Sequence, residues 1–168
     1  MIYLIGQEYI RQNSPVTFNV QDKELFSHIN TAQEVYTKKL LGSDFYEFLT
    51  LEYSAQTLSG NYVTLIEDYV KPQVLWRTIS YALPWISANL RGQGVVVGTD
   101  ENALAATESN VRTLRKEADD RAEFQEDLLW KYLCKNRNLF PEFKQQNDSL
   151  ISPLKDNTNL YDGGVLFY

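Results

Sequence analysis

The residues whose types and spacing could do chemistry are few, and the densest group is the carboxylate run Asp119, Asp120, Glu123, Glu126 and Asp127. On a helix, residues three and four apart share a face, so such a set could align a di-metal or acid/base site. No histidine accompanies it, and Arg115, Lys116, Arg121 and Lys131 are interleaved with it. The run therefore reads as a solvated helix face held by weak salt bridges. His28 has no HExxH companion and no Cys or second His nearby in sequence, which gives no basis for a metal site. Gly92, Gly94 and Gly98 miss the dinucleotide fingerprint by one residue and follow a helical pattern where that motif must follow a strand. No GKS or GKT triplet offers a P-loop, and no GxSxG elbow presents a nucleophile. Cys134, the single cysteine, cannot form an internal disulfide and falls in a helical pattern, where it reads as a buried, inert thiol. The expectation is a protein without catalysis, cofactor or metal.

The totals point the same way. A chain of 168 residues is one domain in the first approximation and can bury a real core. Its net charge of −6 argues against a dedicated nucleic-acid binder, although an acidic surface could line a passage through which DNA slides without sticking. Aromatic residues make up 13%, with eleven Tyr and three Trp, a surplus that fits burial against the chain itself and against partners. The opening MIYLIG lacks a basic leader, and no run approaches the ~20 apolar residues of a membrane span, so a soluble chain made in the cytoplasm is expected.

The elements that would position any site are helical. The central one is Asn61 to Leu90, where Ile66, Tyr69, Val70, Leu75, Trp76, Ile79, Leu83, Ile86 and Leu90 recur at steps of three and four. Val63, Leu65, Val74 and Trp85 fall outside that stripe, so the helix needs cover on more than one side. Pro72 and Pro84 predict a kink or break near Lys71 and near Pro84. Before it, residues 2 to 5 read as a strand or extended arm, and Gly6 to Asn13 as a helical turn. Leu25, Ile29, Ala32, Tyr36 and Leu40 define a helix from Asp22 that Gly42 ends. Asp44 with Glu47 reads as a capping box opening the next helix through Phe45, Phe48, Leu49 and Tyr53. After the central helix, Thr107 to Asn136 places Val111, Leu114, Ala118, Ala122, Gln125, Leu129 and Tyr132 on one face, as suits an outer helix. Leu139 to Phe143 reads as a short helical cap with Pro141 in its first turn.

Two stretches break the helical pattern. Val95, Val96 and Val97 are a β-branched run flanked by glycines, and an isolated strand pair is at best marginal in water. Val165, Leu166, Phe167 and Tyr168 are four large apolar residues after a polar stretch, to be tucked onto their own core or added to another subunit as a strand. These seven residues are the candidate oligomer and partner contacts.

The order Ala32-Gln33-Glu34-Val35-Tyr36, Leu41-Gly42-Ser43-Asp44-Phe45-Tyr46, Tyr69-Val70-Lys71-Pro72, Gly94-Val95-Val96, Arg121-Ala122-Glu123-Phe124, Tyr132-Leu133-Cys134-Lys135-Asn136 and Leu139-Phe140-Pro141-Glu142-Phe143 resembles the neck ring proteins of crAss-like tailed phages. These look similar in plan to the wider head-to-tail connector family of phage adaptors. The resemblance spans residues 15 to 145, and its motifs are short and structural. It implies a small α-helical subunit with an inserted loop or hairpin, assembled as a dodecameric ring beneath the portal and above the tail, where it bridges capsid to tail and extends the DNA channel. It implies a virion location, portal and other neck or tail proteins as partners, and no catalytic residues. It also implies that Gly94, Val95 and Val96 form an inter-subunit or lumen-facing element.

The fold class expected is mainly all-α, a bundle of about four to five helices. A single domain covers residues 1–147, with a β arm or hairpin near residues 93–99 inside an insertion over 91–101, and an extended tail covers 148–168. Two alternatives stand beside the connector: a monomeric helical binding or regulatory module whose apolar groove holds a peptide, and a hydrolase built on the acidic helix that would depend on metal and on Glu123.

Overall fold

The computed structural model of the chain describes residues 2–15, 22–88 and 108–143. Helix α1 is Gln7–Asn13. Helix α2 runs through an α-helical stretch Asp22–Thr31, a π-helical stretch Ala32–Thr37 and an α-helical stretch Lys38–Leu41. Helix α3 is Ser43–Ala55. Helix α4 joins Asn61–Thr64, a π-helical stretch Leu65–Val70 and Lys71–Ala88. Helix α5 is Glu108–Lys135, and a 3-10 turn Arg137–Leu139 comes after it. No strand occurs among the described residues. The arm expected near residues 93–99, the tail over 148–168 and Leu90 of the central stripe lie outside the described residues, as does the side chain of Ile86.

Helix α4 is the centre. Val70, Val74, Ile79 and Ala82 are all within 1% of full burial; of the four apolar residues off the main stripe, Leu65 and Val74 are fully covered, whereas Val63 and Trp85 are exposed, so the cover expected for them is absent. On one side lies α2, with Thr37 reaching Gln73 and Tyr36 reaching Tyr81. On another lies α5, which runs antiparallel: Tyr69 meets Tyr132, Gln73 meets Glu126, and Ser80 meets Asp119. That side-chain order descends along α5 as it ascends along α4.

Of the kink or break expected in α4 at the two prolines, the break does not occur. Its backbone remains helical through both, and the adjustment is a π-helical turn directly ahead of Lys71-Pro72, where the Lys71 amide bonds to the Ile66 carbonyl five residues back. A proline ring clashes with the carbonyl four residues before it, so a widened turn relieves the contact without ending the helix. Pro84 sits inside the α-helical stretch.

Gly42 separates α2 from α3 with φ 81° and ψ 151°, a positive φ paired with an extended ψ rather than the left-handed helical conformation of a common glycine cap. The capping box does not form. Ser43 is already helical, the N-cap position is Gly42 itself, and Glu47 pairs with Lys38 across the α2–α3 corner at 3.3 Å.

The two ends of the described chain also join the core. Leu4, Ile5 and Ile10 are buried, and the segment leading into α1 is fixed by Gln33, whose side chain accepts from the Leu4 amide at 2.9 Å and donates to the Ile2 carbonyl at 3.1 Å. Beyond α5, Phe140 and Phe143 turn back against Phe45, Tyr62 and Trp130. Pro141 lies after the 3-10 turn and does not open a helical cap. Burying a Phe side chain contributes roughly 1.5–3 kcal/mol, so this aromatic cluster is a large local contribution.

Candidate functional site

The most concentrated polar chemistry lies between α4 and α5. Arg77, whose side chain is only 7% exposed, sends Nε and Nη2 to Oε1 of Glu126 at 3.0 and 2.7 Å and Nη1 to Oδ1 of Asp119 at 3.1 Å. Its guanidinium carbon stands 4.3 Å from the centroid of the Tyr36 ring. The fork geometry of arginine suits it to two carboxylates and an aromatic face at once. Gln73 donates to the same Glu126 oxygen at 3.2 Å and accepts from the Thr37 hydroxyl at 2.6 Å, while Ser80 donates to Asp119. Tyr36 and Tyr81 share a hydroxyl contact at 2.6 Å. Burial, and next the bond to Tyr81, push the Tyr36 phenol up to about 12.

This network corrects the expectation of a wholly solvated acidic face. Asp119 and Glu126 turn inward onto Arg77, whereas Asp127 pairs with Lys131 on the same helix. The signal was present as a lone arginine inside the apolar stripe of α4: a cation there needs an acid from the facing helix. Its donors and acceptors are taken up by one another across the contacts of α4 with α2 and α5. Ser80 is buried and donates its hydroxyl hydrogen bond to a carboxylate already held by arginine rather than to an imidazole. Among the described residues no group of three His, Cys, Asp or Glu is placed to hold a metal ion. His28 and Cys134 are each only partly buried on their helices, which makes Cys134 less enclosed than expected.

Outside the network, large apolar side chains face solvent. On the α5 side, Phe124 is 59% exposed and lines an open groove of about 370 Å³ with Trp76, Asp120, Arg121 and Gln125. Arg121 covers the Trp76 ring, its guanidinium carbon 4.5 Å from the centroid. Leu114, expected on the buried face, is exposed as well. On the α2–α3 side, Val35 and Leu51 are exposed, and Lys38 bridges Glu34 and Glu47 between them in sequence.

A model of a family of unknown function, DUF6712, matches residues 37–150, more than half of the chain. The chain belongs to this family. No curated protein and no solved structure matches it. The DUF6712 match contains Arg77, Asp119, Glu126 and the groove, and it begins after Gln33, the residue that fastens the N-terminal segment.

The contacts chosen from sequence, Val95, Val96, Val97 and Val165 to Tyr168, lie outside the described residues. The exposed residues that sequence reading passed over, Val35, Leu51 and Phe124, share one signal. Each is a large apolar residue off the buried stripe of its helix, two positions from buried Thr37, Leu49 and Ala122 respectively. No helix among the described residues is long and apolar enough to cross a membrane.

Proposed function

We propose that this protein is a structural subunit of a virion, a head-to-tail connector that assembles as a ring in a phage neck, joins portal and capsid to tail and extends the DNA channel. The observation that carries the reading is the placement of large exposed apolar side chains on separate outer layers, Val35 and Leu51 on α2 and α3, and Leu114 and Phe124 on α5. A ring subunit needs two such faces, because each copy meets a neighbour on either side through different surfaces. The sequence resemblance to crAss-like phage neck proteins over residues 15 to 145 and the net charge of −6, which suits a DNA passage, add support. In this reading Val95 to Val97 and Val165 to Tyr168 contact neighbouring subunits, portal or tail proteins in the assembled neck.

The test is electron microscopy of the purified protein mixed with the portal of the same phage. Closed rings stacked on the portal sustain the proposal, and absence of binding across a range of salt and concentration overturns it. The groove at Trp76 and Phe124 favours a second reading, a monomeric helical module that holds a peptide. A chain that remains monomeric at high concentration and with portal present would support that alternative.

A further inference from the structure

The groove on the α5 side is lined by Trp76, Asp120, Arg121, Phe124 and Gln125, with the Arg121 guanidinium lying over the Trp76 ring and the Phe124 ring exposed beside it. A surface of this kind suits a short apolar segment that brings an acid for the arginine. Such a segment lies in this chain. Tyr161-Asp162-Gly163-Gly164-Val165-Leu166-Phe167-Tyr168 places one carboxylate next to a glycine pair and then four large apolar residues. The described chain ends at Phe143, whose ring is 6.0 Å from Trp130 on α5. Trp130 and Phe124 are separated by about 9 Å along the helix axis. Residues 144–164 join that point to Val165, and a stretch of that length can reach at most roughly 70 Å, so the groove is within reach of the same chain.

We infer that the groove formed by Trp76, Arg121 and Phe124 is the docking site for Val165 to Tyr168 of the same chain in the unassembled subunit, with Asp162 pairing with Arg121. The contact covers the most exposed aromatic residue of α5 until a partner displaces it. Because it concerns the isolated chain, this docking is independent of the connector reading.

The experiment is disulfide trapping in the full-length chain with Cys134→Ser removing the native thiol. Phe124→Cys combined with Leu166→Cys is expected to close within one chain about tenfold faster than Val63→Cys combined with Leu166→Cys, because Val63 is exposed on α4 away from the groove. Equal rates for the two pairs, or bonds formed only between chains, overturn the inference; the latter assigns the segment to a neighbour's groove. A second measurement does not depend on the cysteine variants. A synthetic peptide of residues 161–168 is expected to bind the chain truncated after Gly164, to bind the full-length chain at least about tenfold more weakly, and to lose binding on Phe124→Glu. Equal binding to both chains, or no binding to the truncated one, overturns it. Ring formation with portal is read separately by microscopy, so failure of either idea is distinguishable from failure of the other.

Discussion

Arg77 of α4 and Glu126 of α5 meet through two nitrogens on one oxygen, Nε at 3.0 Å and Nη2 at 2.7 Å from Oε1. Both side chains are largely covered, so the pair clamps the outer helix to the central one in a place where neither charge can return to water without separating the helices. Removing one partner of a buried pair costs about 3–5 kcal/mol, because the other charge is left uncompensated. Arg77→Ala is therefore expected to lower unfolding stability by about 3 kcal/mol, and Arg77→Ala with Glu126→Ala by clearly less than the sum of the two single changes. Urea denaturation of the four chains of the cycle checks this, and strict additivity would show that the two groups do not act together.

Gln33 ties the N-terminal segment to α2 with bonds to Leu4 and Ile2, and it donates as well to the Tyr46 hydroxyl on α3. Gln33→Leu keeps the bulk and leaves the Leu4 amide and Ile2 carbonyl without these partners, a loss of about 1–3 kcal/mol for a buried unsatisfied group. The expected signature is local. Hydrogen exchange should accelerate at Leu4 and along α1, while amides of α5 keep their protection. Uniform acceleration throughout the chain would contradict this assignment.

The phenols of Tyr36 and Tyr62 are both pushed up to about 12, first by burial and then by hydrogen bonds to Tyr81 and Glu142 respectively. An unfolded tyrosine loses its proton near pH ~10. Between about pH 10 and 12 the folded chain therefore holds more protons than the unfolded one, and its stability falls as pH rises through that window. The contribution is fully present below the unfolded value. The urea midpoint should drop less steeply with alkaline pH in Tyr36→Phe with Tyr62→Phe than in the parent; matching slopes would refute the linkage.

Gly42 adopts a backbone conformation, φ 81° and ψ 151°, that side chains with a Cβ rarely tolerate. Gly42→Ala is expected to cost about 1–3 kcal/mol and to loosen the α2–α3 corner. Thermal melting with hydrogen exchange at Phe45 and Tyr46 checks both parts, and an unchanged midpoint would mean that the corner relaxes without strain.

The all-helical character of the described chain was legible in its sequence, because periodicity at three and four residues is local and needs no partner to be read. The central role of α4, the stop at Gly42, the burial of Ala118, Ala122 and Leu129, and the outer position of α5 all come from that pattern. The fate of a polar residue does not. Asp119 and Glu126 belong by spacing to the same charged run as Asp120 and Glu123, and only the antiparallel register of α5 against α4 brings them to Arg77. Likewise, a proline predicts a local clash, but whether the helix breaks or widens depends on the packing energy of the residues beyond it, here the buried stretch from Gln73 to Ala82. Local propensity thus determined which segments are helices; long-range register decided which charges are buried, where the backbone widens, and that Trp76 and Phe124 line one groove on the outside.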